Sequence, residues 1–141
     1  MDHVAIMKKY WKLIPKIITG EKTIESRWYQ TRRTPWNRIH AGDRIFFKNS
    51  GEPISAQALV ARVLQFEIAC ISDIEKILIQ YGKKICLVHA DPRSWKTHPR
   101  YCVLLFLQDS KKIKTPFQVD KKGFGLATAW ITVPHIRMIR R

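Results

Sequence analysis

The spacing of apolar and polar positions changes several times along the 141 residues. Residues 4–7 form a short apolar run that predicts a first strand. Over residues 10–19, Trp11, Ile14, Ile17 and Ile18 recur near the 3.6-residue period of a helix, and Gly20 is placed to end it. Pro15 fits this helix only within its first turn. Residues 23–29 alternate, with Ile24, Ser26 and Trp28 on one strand face and Glu25 and Arg27 on the other. Residues 44–48 form a short strand launched by the Gly42-Asp43 turn, and residues 55–68 a long strand with a bend or bulge. Ser72-Asp73-Ile74-Glu75 has the form of a capping box, in which Ser72 and Glu75 satisfy each other's backbone N–H groups. The helix it opens carries Ile74, Ile77, Leu78 and Tyr81 on one face and stops at Gly82. Residues 101–108 are almost continuously apolar and predict a buried central strand. Residues 130–133 and 136–139 are the last strand candidates.

Turn signals separate these segments at short intervals, as in a small mixed sheet or barrel. No internal repeat or long Pro/Gly/Ser linker divides the chain, so residues 1–141 are expected to form one domain. The longest apolar run, residues 101–107, is far short of the ~20 residues of a membrane-spanning helix. The first residues lack the basic-then-apolar order of a secretory signal. The expected location is cytoplasmic, with no membrane partner and a monomer favoured.

Charge changes the picture most. Lys and Arg number 26 against 11 Asp and Glu, a formal net charge of +15. The excess is spread over both halves of the chain. A folded domain with that field attracts polyanions, because neutralised phosphates release condensed counterions. Solubility alone is served by a net charge of roughly 2–8. Nucleic acid is therefore the expected partner, and RNA is favoured over duplex DNA. The cysteines, Cys70, Cys86 and Cys102, are an odd set without a C-x-x-C pair and are expected to be buried reduced thiols. Cys86 with His89, and His98 with Cys102, have spacings that zinc could use, but their segments look like apolar strands. No metal and no cofactor are expected; neither a P-loop nor a dinucleotide-binding glycine pattern is present.

Gly20-Glu21-Lys22-Thr23-Ile24-Glu25-Ser26-Arg27 joins a helix stop to a charged strand, and Gly42-Asp43 follows at a distance that suits the next strand. This succession resembles the ASCH domain, a PUA-like family with the entry motif G-x-K-x-x-E-x-R and a G-D turn, related to the EVE and YTH modules. The match is good over residues 11–66 and looser afterwards, where Pro116-Phe117 and Ala129-Trp130-Ile131 suit the closing strands. The resemblance implies an α+β, mainly β fold: a small, mixed PUA-like β-barrel with helices at its rim. It also implies a cleft beside the first helix that receives Lys22, Glu25 and Arg27. Relatives of this architecture bind RNA, often with a base or modified base in the cleft. Some ASCH proteins are assigned hydrolytic activity on N4-acetylcytidine or on RNA.

The expected function is thus an RNA-binding module that holds a nucleotide or modified base in a basic cleft. Lys22, Glu25 and Arg27 would recognise base and phosphate. Residues 27–40 interleave cations with aromatics, the composition of single-strand binders, which adds Tyr29, Arg32, Arg33, Trp36 and Arg38. Trp28 shares a face with Ile24 and is expected in the core. Arg93, Trp95 and Lys96 form a second patch, with Trp95 as a loop contact or a plug over the barrel mouth. Lys111, Lys112, Lys114, Lys121 and Lys122 are expected to supply a diffuse field. The alternative is a small hydrolase, a nucleoside amidohydrolase or a ribonuclease, with Lys22 and Glu25 as its catalytic pair. The N4-acetylcytidine subgroup resembles G-x-K-T-x-T-x-R, and here Glu25 stands where the second Thr would supply a hydroxyl. Glu25 would then act as a general base on water.

Overall fold

The period-two alternation of the strands serves two cores at once, which explains why several have no polar face. In the computed structural model, which describes residues 1–87, 90–125 and 127–141, every residue of β1 (Asp2–Met7) is buried. Ala5 and Met7 enter one cluster with Phe47 and Trp130, while Val4 and Ile6 enter another with Phe46 and Ile131. The buried start of β5 (Tyr101–Phe117) divides likewise: Val103 and Leu105 join the first cluster, and Cys102 and Leu104 join a third under the second helix. With both faces covered, an apolar run is the natural strand sequence.

The remaining elements are α1 (Leu13–Thr19), β2 (Ile24–Tyr29), β3 (Arg44–Asn49), β4 (Ile54–Glu67), α2 (Ile71–Ile85) and β6 (Trp130–Val133). The six strands form one sheet in the order β2-β5-β4-β3-β1-β6. Only β1 with β3 is parallel among these pairs. Shifts of register along β4 bend the sheet into a curled half-barrel. Helix α1 closes its inner face through Ile14 and Ile17, and α2 packs Ile74 and Ile77 outside β2 and β5. This is the expected mainly β, α+β architecture, a curled sheet with helices packed on it. No helix among the described residues is long and apolar enough to cross a membrane.

Several boundaries differ from those read in the sequence. The first helix begins at Leu13, because the ring of Pro15 excludes a helical turn reaching back to Trp11. Residues Lys9–Trp11 form a separate 3-10 turn, Lys12 is left-handed at φ 55°, and Trp11 is 51% exposed rather than packed inward. Helix α2 is capped at Cys70, and not by Ser72 with Glu75: the Asp73 carboxylate accepts the N–H groups of Ala69 and Cys70 at 2.8 and 3.3 Å. Gly82 does not end it. Leu87 N–H bonds the Gly82 carbonyl and Cys86 N–H bonds that of Lys83, a Schellman closure with Cys86 left-handed at φ 69°. Cys86 is therefore a helix cap, not a strand residue, and Cys70 is exposed; Cys102 alone is a fully buried thiol. Strand β5 runs nine residues past the expected end, its outer part mostly exposed and polar, paired to β4 and anchored by Ile113 and Phe117 in the second cluster. Residues 136–139 are not a strand: Ile136–Met138 is a 3-10 turn whose first N–H bonds Asp2 Oδ2 at 2.7 Å.

Candidate functional site

Strands β2 and β6 are the two edges of the sheet, and its curl brings them together at Arg27. The Arg27 guanidinium on β2 donates to the carbonyls of Ala129 and Ile6 at 3.2 and 3.5 Å. It also lies 5.1 Å over the ring of Trp130 on β6. Beside this closure opens a cleft of about 580 Å³, walled by β2, the end of β1, the start of α1 and the C-terminal end of α2. Lys22, Glu25 and Arg27 line it together; Tyr29, read from the sequence as a loop contact, joins them on β2, and Trp28, Trp11, Lys8 and Lys16 complete its walls.

Lys22 is 1% exposed, which a lysine tolerates only when its ammonium is fully engaged. Gly20, left-handed at φ 83°, ends α1 and turns the chain so that Lys22 points beneath the cleft. Its Nζ donates to the carbonyls of Ile24 and Ile85 at 2.9 and 2.7 Å and lies 3.5 Å from Glu25 Oε1. The Ile85 carbonyl belongs to the last turn of α2, the negative end of that helix, where a cation is stabilising. Lys22 thus joins three elements, with two of its three protons donated to carbonyls and its charge set beside Glu25.

Glu25 is 3% exposed. Its Oε1 accepts the Ser26 N–H at 2.9 Å. Its Oε2 lies 3.6 Å from Arg27, beyond a hydrogen bond, and is the one buried side-chain nitrogen or oxygen among the described residues that has no hydrogen-bond partner. The motif of two cations and a carboxylate therefore sets a buried, unpartnered acceptor in a residue of the cleft wall, while both cations donate to protein carbonyls.

The rim is aromatic and cationic. Lys8 Nζ lies 5.1 Å from the Trp11 ring centroid, and the Arg33 guanidinium lies 5.6 Å from that of Tyr29. Burial pushes the Tyr29 phenol above its ordinary pKa. Trp28, expected in the core, packs against the α2 cluster and also lines the cleft, with its Nε1 bonded to Ser26 Oγ at 2.9 Å. Trp95 stands edge-on to Trp28 at 5.6 Å, half-buried. It supports the cleft wall from behind and does not line it.

The other sequence candidates lie elsewhere. Arg32 is exposed and paired with Glu67 at 2.9 Å. Trp36 turns inward against the core and meets Tyr101 edge-on at 5.1 Å, because the loop folds over the sheet. Arg38 and Lys96 are exposed, and Arg93 borders a second, more open groove beside α2. Sequence reasoning misses Lys8, Trp11 and Lys16 as site residues. Their signal is Trp11 among Lys8, Lys9 and Lys12, the same interleaving as residues 27–40, masked by its apparent helical phase.

No group of three or more His, Cys, Asp or Glu side chains suited to a metal occurs among the described residues. His89, paired with Cys86 on spacing alone, lies outside them. His98 Nε2 is 3.2 Å from the Pro92 carbonyl, and burial drives the Cys102 thiol pKa far up.

No family model and no curated protein matches the chain by sequence. Three solved structures of an ASCH protein from Zymomonas mobilis are similar in fold. The unsubstituted form superposes with a TM-score of 0.68 at 18% identity, over 94% of this chain and 87% of that one. Two variants give TM-scores of 0.70 at 17% and 18% identity, each over 97% of this chain and over 93% and 91% of theirs. At such low identity the likeness is one of architecture, and it spans nearly the whole of both chains. This chain has the ASCH-domain fold.

Proposed function

We propose that this protein is an RNA-binding module that takes one base of a single strand into the cleft beside β2. The carrying observation is the rim: Trp11 and Tyr29, each with a cation over its ring, frame an opening of a size that suits a nucleotide. Rings stack on unpaired bases of any identity, and Lys8, Lys16 and Arg33 are placed to follow the backbone. The net charge of +15 supplies long-range attraction. In this reading Lys22 and Arg27 position the site rather than grip phosphate. The hydrolytic reading asks Lys22 for a proton or a lone pair, and the engaged ammonium gives that role no support.

The test is a titration with fluorescent single-stranded RNA at two salt concentrations. Binding should weaken steeply with salt, and Trp11→Ala should cost about 1–3 kcal/mol, the worth of one stacked base. Affinity that is undetectable at low salt, or indifferent to both changes, defeats the proposal.

A further inference from the structure

The unpartnered oxygen of Glu25 has a consequence for which base enters, given the RNA-binding reading above. We infer that Glu25 Oε2 selects bases that carry an exocyclic amino group, cytosine above all, and disfavours uracil.

The argument starts from what the carboxylate can still do. One carboxylate oxygen, Oε1, accepts the Ser26 N–H at 2.9 Å and lies 3.5 Å from the Lys22 ammonium, which leaves the other without a donor. Lys22 is in turn pinned by two carbonyls. Arg27, 3.6 Å from Oε2, donates instead to the carbonyls of Ala129 and Ile6 and to the Met7 sulfur. Two cations therefore stabilise the carboxylate's charge, yet Oε2 itself receives no hydrogen bond. A buried charged acceptor left in that state carries a large desolvation cost, which a ligand N–H relieves on binding.

The ligand must thus bring a donor, and a strong one. Cytosine offers N4–H₂, a group that carboxylates accept from. Uracil has a carbonyl oxygen at that position, and a carboxylate facing it leaves two acceptors opposed and dry. Cytosine and uracil differ at this position while their size and stacking area are nearly the same. Discrimination there is accordingly separable from the stacking that holds the base.

The experiment compares short oligo(C) and oligo(U) RNA with the folded full chain, by fluorescence anisotropy at low salt. Oligo(C) should bind about tenfold tighter, as a single hydrogen bond to a charged group supplies. In Glu25→Gln the amide oxygen keeps the Ser26 N–H and the NH₂ replaces Oε2, so the preference should vanish or reverse toward oligo(U). Oligomers of N4,N4-dimethylcytidine, which lack the donor, should bind the unsubstituted protein no better than oligo(U). The comparison of oligo(C) with oligo(U) needs no substitution and stands if Glu25→Gln fails to fold. Equal affinity for the two overturns this inference and leaves RNA binding intact; binding to neither overturns both.

Discussion

Lys22 shows how a residue type misleads when its surroundings are unknown. In the sequence it is one of 26 basic side chains and part of a ligand-facing motif. In the fold it is a buried clamp, and Glu25 depends on it for charge compensation. Removing one partner of such a pair leaves the other charge uncompensated. Lys22→Met keeps the apolar stem and removes the ammonium, and should destabilise the domain by about 3–5 kcal/mol. Urea denaturation measures this, and a loss below about 1 kcal/mol would contradict the clamp. Adding Glu25→Gln should restore part of the loss, since the uncompensated charge is then gone.

At the level of elements, a buried polar network ties β1, the turn before β3, and β6. His3, fully buried, sets Nε2 2.9 Å from Asp43 Oδ2, while its Nδ1 accepts the Trp130 Nε1–H at 3.2 Å and lies 3.0 Å from Thr132 Oγ1. Since Trp130 can only donate, Nδ1 is the unprotonated nitrogen and His3 is neutral with its proton toward Asp43. Burial lowers the His3 pKa below its ordinary 6.5 against the opposing pull of Asp43. Asp43 is also lowered: burial would raise it, but hydrogen bonds from His3 and the His40 N–H outweigh that. Both shifts act in one direction. As pH falls below about 6.5 the unfolded chain takes up the His3 proton before the folded one, so stability drops. The loss continues at lower pH as it passes through the depressed Asp43 value. Thermal unfolding should show a lower Tm at pH 5.5 than at pH 7.5, and His3→Gln should flatten that difference. A Tm that is flat or rises on acidification would contradict the assignment.

Over the whole molecule, charge divides by location. Lys111 and Lys112 are exposed on the outer part of β5, paired with Gln57 and Ala56 across the ladder, well past the segment that faces β2. They do not line the cleft, and in the proposed RNA-binding reading they add only to the diffuse field. Replacing both by Ala should weaken every RNA alike and keep any preference among bases. The slope of log affinity against log salt should become shallower by about one unit for each phosphate that is no longer neutralised. A base-dependent loss would place these lysines at the specific site.

Element type was legible wherever side chains alternate or recur by local rule. The strands at residues 4–7, 23–29, 44–48 and 130–133, the end of α1 at Gly20, and the shared face of Glu25 and Arg27 all follow from short-range pattern. The Gly20–Arg27 motif also pointed to the ASCH-like fold and to a cleft beside α1. Tertiary structure decided the rest. The polar half of β5 forms because β4 offers it a ladder of backbone partners, which no side-chain pattern announces. Trp36 turns inward and Trp11 outward because loop path and the Pro15 ring, not composition, set their directions. The polarity of the site is the clearest case. Sequence determined that two cations and one carboxylate would meet, but the carbonyls that occupy the cations come from residues 6, 24, 85 and 129, remote in the chain except for Ile24. Only when the curled sheet and the end of α2 bring those carbonyls together does the free valence become that of the carboxylate.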